Sequence, residues 1–139
     1  MNFAIKGLFV ANTPTASGNM YSGECVADIA KQINSSVVKV TIQQMNSPER
    51  ARNKIPAYEP IASQVMAKIV SAVVNDNSLD VVCEIKAGRN GKKLTGMLEG
   101  IGQDNLDFVP VGFGDVRKNG NISEVFNYQL KYVSVEPAT

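Results

Sequence analysis

The stretch RKNGNISEVFNYQLKYVSV, residues 117–135, constrains the fold of this chain more than any other. Asn-Gly is the dipeptide that a two-residue hairpin favours, because both central residues must take positive φ. Beyond it, from Glu124 to Val135, the residues Phe126, Tyr128, Leu130 and Tyr132 share one parity, with Lys131 on the other. Alternation of this kind argues a half-buried strand. The chain must therefore build a sheet, and an aromatic strand is expected to line its core.

Other strand signals lie upstream. Phe3, Ile5, Gly7 and Phe9 alternate with Ala4, Lys6, Leu8 and Val10, and this first strand ends at Asn12 to Pro14. The polar, turn-forming ANTPTASGN follows as a loop. Met20 to Ile29, with Tyr21, Cys25, Ala27 and Ile29 on one parity, predicts a second strand. Val38, Val40 and Ile42 alternate with Lys39, Thr41 and Gln43 as a third. Asn46 to Pro60 reads as an exposed loop, since Pro48, Pro56 and Pro60 forbid one continuous helix. After Pro60, the four-residue recurrence of Ile61, Val65, Ile69 and Val73 predicts the one helix, closed at Asn75. Leu79, Val81, Cys83 and Ile85 form a further strand, and Asn90-Gly91 predicts a hairpin leading into KKLTGMLEGI. The glycine-rich FVPVGFG connects to the final hairpin. This order predicts a mainly β protein: an OB-fold-like Greek-key barrel spanning residues 1–139 as one domain, its helix between the third and fourth strands, with an extra C-terminal hairpin.

The chain contains no histidine and two cysteines, which excludes a Ser-His-Asp triad, a Cys-His dyad and a four-ligand Cys/His zinc site. The expectation is a protein without catalytic activity, metal or cofactor. Cys25 and Cys83 sit in apolar segments and are expected to be reduced core residues. The N-terminal FAIKGLFVA is broken by Lys6 and Gly7, unlike a signal peptide, and no segment reaches the roughly 20 apolar residues of a membrane helix. A cytoplasmic location without membrane association is expected. The formal net charge of +1 requires any nucleic-acid site to rest on local clustering of cations.

Three groups of residues could carry chemistry. Glu84-Ile85-Lys86, with Asp80 on the same face, resembles the acidic-x-Lys element of the restriction-endonuclease-like nucleases, which implies a magnesium-dependent nuclease as a third reading. Arg89, Lys92 and Lys93 cluster at the predicted hairpin tip, and Lys6 and Lys39 add cations on strands. Phe108 and Phe113, in the Gly/Pro-rich connection, are candidate stacking platforms for bases. Gly96, Gly100, Gly102, Gly112 and Gly114 form no phosphate loop and are read as permitting bends in a curled sheet.

Gly18, Tyr21 and Ser22 form a Gly-x-x-Tyr-Ser element, and the closing strand ends at Pro137-Ala138. In both respects the chain resembles the single-stranded DNA-binding proteins of filamentous phages, the gene V protein type. That resemblance implies an OB-like barrel, a dimer, and a role for Tyr21 in binding DNA. The leading expectation is a sequence-independent single-stranded DNA-binding protein of replication or recombination, its site drawn from Tyr21, Lys6, Lys39, Arg89, Lys92, Lys93, Phe108 and Phe113. The alternative is a structural or protein-interaction module, a phage or plasmid assembly component with the C-terminal hairpin as its arm.

Overall fold

The computed structural model describes residues 1–42, 48–56 and 58–138. Its elements, in chain order, are β1 (Asn2–Val10), β2 (Asn19–Tyr21), α1 (Gly23–Ser35), β3 (Val38–Ile42), α2 (Pro48–Arg52), β4 (Val65–Asn75), β5 (Ser78–Ile85), α3 (Arg89–Met97), β6 (Leu106–Asn119) and β7 (Ile122–Pro137). The architecture is organised by β7, the longest strand. A two-residue turn folds β6 back on it along most of its length, where the sequence predicts a hairpin; its central residues are Gly120, at φ +66°, and Asn121, with Asn119 the last strand residue rather than part of the turn. The other edge of β7 is shared: β2 pairs in parallel with Ser123–Val125 and β3 in parallel with residues 132–135. From β3 the sheet continues through β4 and β5 to β1, each step antiparallel.

The sheet curls into a half-barrel, so that its terminal strands β1 and β6 approach each other. The Phe3 and Phe108 rings meet at 5.7 Å, and the Gln103 side-chain amide donates to the Ala4 carbonyl. One core cluster fills the curl, with Ile5, Phe9, Val40, Ile69, Leu79, Val81, Tyr128 and Val133 among its members.

Between β2 and β3 the β7 edge has a gap, and α1 bridges it. Gln32 donates to the Tyr128 carbonyl at 2.6 Å and accepts from the Leu130 N–H at 3.1 Å. Two residues on, Asn34 does the same for β4, exchanging two 3.1 Å bonds with the N–H and C=O of Ala72, beyond the point where β3 stops pairing. Two side-chain amides thus complete two strand edges that short β3 leaves open.

Several sequence expectations are corrected. FVPVGFG, expected as a glycine-rich connection, lies inside β6, and Phe108 and Phe113 pair with Val135 and Gln129 of β7. Met20–Ile29 is strand only as far as Tyr21; Ser22 then accepts from the Cys25 N–H as a helix N-cap. Cys25, Val26, Ile29, Ala30 and Ile33, the buried face of α1, follow the 3.6-residue period rather than a period of two. The helix expected over Ile61–Asn75 is a single 3₁₀ turn, Ala62–Gln64, followed by β4. Its inward residues run 67, 69, then 72, because the register shifts between Ile69 and Ser71, and that irregularity imitates a helical step. The β-branched Val65, Ile69, Val70, Val73 and Val74 favour strand, and Asp76, at φ +54°, turns β4 into β5. The longest helix, α1, lies between β2 and β3; between the third and fourth strands, where the OB-like order places its one helix, the described residues hold only the five residues of α2 and a 3₁₀ turn, and α3 follows β5.

Asn90-Gly91 opens α3 rather than a hairpin, and KKLTG belongs to that helix. A Cβ on Gly91 would stand 1.6 Å from the Lys86 carbonyl oxygen, so glycine is there for close packing and not for a turn. Finally, Tyr132 leaves the face of Tyr128 and Leu130: pairing with β6 slips between Val111 and Gly112, and Tyr132 stands outside the main core cluster although only 1% exposed. Of the Asn46–Pro60 segment, Pro48–Arg52 is helical, and residues 46, 47 and 57 lie outside the described residues.

Cys25 and Cys83 are free and buried, as the apolar context predicts. Burial pushes the Cys83 thiol from its ordinary 9.0 up to about 12, and likewise raises Cys25, Tyr21, Tyr128 and Tyr132. These groups keep their protons in the folded state while the unfolded chain releases them near pH 9–10, so stability falls as pH rises through that range. Urea titrations at pH 7, 9 and 10.5 should show a falling midpoint, and a thiol reagent at pH 8 should modify neither cysteine until the protein unfolds. Rapid native labelling of Cys83 would contradict its burial.

Candidate functional site

The face of the sheet turned away from the core carries a trough. It follows from alternation on β3: Val40 points into the core while Lys39 and Thr41 point outward. Lys39 lies in register with Lys68 of β4 and Tyr132 of β7, and Thr41 with Ser134. Thr41, Ser134 and Arg50 are the buried polar residues among those described, and Tyr132 and Ile61 are buried near them, outside the main core. The hydroxyls of Thr41 and Ser134 donate to the main-chain carbonyls of Ile42 and Val109, and the Arg50 guanidinium donates to those of Pro56 and Glu59. Arg50 thus folds the segment after α2 back on itself, and Pro56, Tyr58, Glu59 and Pro60 of that segment form one wall of the trough.

Two grooves, each of about 610 Å³, make up the trough and share Val37, Lys39 and Ala62. One runs over Val65 and Ala67 toward Lys68, Glu84 and Lys86; the other runs toward Tyr58, Phe113 and Lys131. Tyr58 and Phe113 meet edge-to-face at 5.1 Å. Lys68 and Glu84, each about half exposed, form an ion pair at 3.7 Å, worth little to stability at that exposure.

The residues singled out from the sequence are dispersed. Lys39 and Phe113 line the trough. Arg89, Lys92 and Lys93 are exposed on α3, whose Asn90 donates to the Ser63 carbonyl in the turn beside the trough. Lys6 is exposed on β1, next to Asp80. Phe108 is half-buried against the core and Phe3. Tyr21 packs at right angles to Phe9 and Tyr128, at 5.0 and 5.6 Å, so its ring belongs to the core margin. The acidic-x-Lys element is likewise spoken for. Asp80 accepts from Gly7 N–H, Ser78 and Asn75, which lowers its pKa through those hydrogen bonds, while Glu84 pairs with Lys68.

The chain is similar to the capsid assembly protease of bacteriophage T4. That solved structure matches at a TM-score of 0.72, over 95% of this chain and 79% of the other, with 16% sequence identity. No family model and no curated protein matches the chain. The likeness to the T4 protease carries the fold, and it corrects several expectations. The gene V type resemblance is overturned: its Gly18-x-x-Tyr21-Ser22 element is a turn, a three-residue strand and a helix cap. Single-stranded DNA binding, the DNA-linked dimer and the nuclease reading fall with it, since the matching fold is a protease's. The expectation of a chain without catalytic activity is corrected by the same finding. Because the sequence holds no histidine, peptide-bond cleavage on this fold would need a base other than imidazole.

Sequence reasoning missed Lys68, Lys131 and Tyr58. Lys68 was hidden by the helical reading of β4, although a lysine between Ala67 and Ile69 in a β-branched run is itself a strand signal. Among the described residues, no helix is long and apolar enough to cross a membrane.

Proposed function

We propose that the chain acts in the assembly of a phage head, engaging polypeptide on a protease fold. The observation that carries this reading is the match to the T4 capsid assembly protease over nearly the whole chain. It takes residues 1–139 as one domain, supported by a core cluster that draws on every long strand of the sheet. The trough supports it as well, because a groove with an apolar floor and a few fixed polar groups suits a peptide segment.

The test is co-expression with the capsid and scaffolding proteins of the phage genome that carries the gene. Sedimentation and electron microscopy should find the chain in assembling heads, and mass spectrometry of the head proteins reads any cleavage directly. Heads identical in number and composition with and without the chain would overturn the reading.

A further inference from the structure

The trough is electrostatically one-sided. Lys39, Lys68, Lys86 and Lys131 line it, against the carboxylates of Glu84, already paired with Lys68, and Glu59. Lys39 and Lys68 stand directly opposite each other across the antiparallel β3–β4 pair, an arrangement of like charges that destabilises a sheet. The fold tolerates a repulsion that one substitution would relieve. The floor between these lysines is apolar, built from Val37, Ala62 and Val65. A run of stacking platforms for successive bases is not offered: among the described lining residues the aromatic rings are Tyr58 and Phe113, inclined at 62° to each other at one end of the trough.

We infer that the trough binds an extended, acidic segment of a partner protein, with alternate side chains on the apolar floor and carboxylates on the lysines. This rests on the reading of the chain as a polypeptide-handling assembly protein. The geometry suits that occupant. From β5 through β4 and β3 to β7 the lined surface crosses three strand spacings, about 14 Å at ~4.8 Å each, which roughly four or five extended residues span. The lysine heads stand above a floor that takes every second side chain.

The experiment is fluorescence anisotropy with a labelled ten-residue peptide alternating glutamate and alanine, its lysine-alanine counterpart, and an oligo-dT of ten nucleotides. The glutamate peptide should bind, more weakly as salt rises. Lys39→Glu and Lys131→Glu should each weaken it about tenfold, and Lys118→Glu, at the distant β6–β7 turn, should leave it unchanged. Lys39→Glu should melt no lower than the wild type, since repulsion by Lys68 becomes attraction, so its lost binding is not lost folding. Equal binding of the lysine peptide would overturn the inference, as would tighter binding of oligo-dT abolished by the same substitutions. The two readings fail separately. Heads that still recruit a Lys39→Glu/Lys131→Glu double variant remove only the trough, whereas heads indifferent to the wild-type chain remove the assembly role.

Discussion

Replacing Gly112 by alanine should lower the melting temperature by roughly 10 °C, and more if β6 cannot shift. The added Cβ would lie 2.1 Å from the Gln129 carbonyl oxygen and 2.8 Å from the Tyr128 ring. Neither is the free end of a flexible side chain. The carbonyl is strand backbone in the β6–β7 ladder, and the ring is buried, held edge-on by Phe9 and Tyr21. Overpacking typically costs about 1–3 kcal/mol, and here both obstacles are fixed, which puts the expected loss at the upper end. For a chain of this size, about 3 kcal/mol corresponds to roughly 10 °C. A thermal melt of Gly112→Ala beside Gly120→Ala distinguishes the cause: Gly120 has open space around its Cβ position, and only its φ of +66° resists the change. If Gly112→Ala melts like the wild type, Tyr128 is not packed where this structure puts it.

The second large effect is expected at α1. Gln32→Leu and Asn34→Leu each keep the approximate size of the side chain and remove both ends of an amide that serves a strand. Each leaves one main-chain N–H and one C=O without its partner in a part-buried setting, half-buried at Gln32 and more exposed at Asn34, at about 1–2 kcal/mol per group, the lower part of the range for a lost hydrogen-bond partner. Denaturant unfolding should show a loss of roughly 2–4 kcal/mol for Gln32→Leu and a smaller one for Asn34→Leu, where solvent is closer. Gln32→Ala and Asn34→Ala, which open space for water, should cost less than the leucine forms. Leucine variants as stable as the wild type would mean that water already reaches these strand edges.

What the sequence disclosed, and what it concealed, follows from the range of the interactions. The β6–β7 hairpin, β3 and β5 were legible because a turn residue or an uninterrupted alternation specifies them locally. Where a bulge resets parity, as in β4 and at Tyr132, the same alternation misleads, because a period of two broken once imitates other periods. Asn90-Gly91 misled for a different reason: Gly91 is required by the carbonyl of Lys86, a contact its dipeptide cannot express. Of the trough, Lys39 and Phe113 were visible as an outward cation and an aromatic in a glycine-rich stretch. That they line one trough across β3, β7 and β6, with Lys131 between them and Lys68 beyond Lys39 on β4, depends on strand order, which pattern alone does not supply.

The position of β7 bears on how the protein comes into being. It comes after all three of the strands it pairs with, and the strand partners of Gln32, Tyr128 and Leu130, arrive only 96 and 98 residues later. A nascent chain emerging from the ribosome can pair β1, β3, β4 and β5 with one another first, but β2, β6 and the open edge of β3 have no partner until β7 is out, and only then can the core receive Tyr128, Leu130, Val133 and Val135. Closing loops of this length before any contact rewards them makes folding slow. Closure of the core thus waits on the synthesis of β7, and the interval before it arrives is when a chaperone has most to protect.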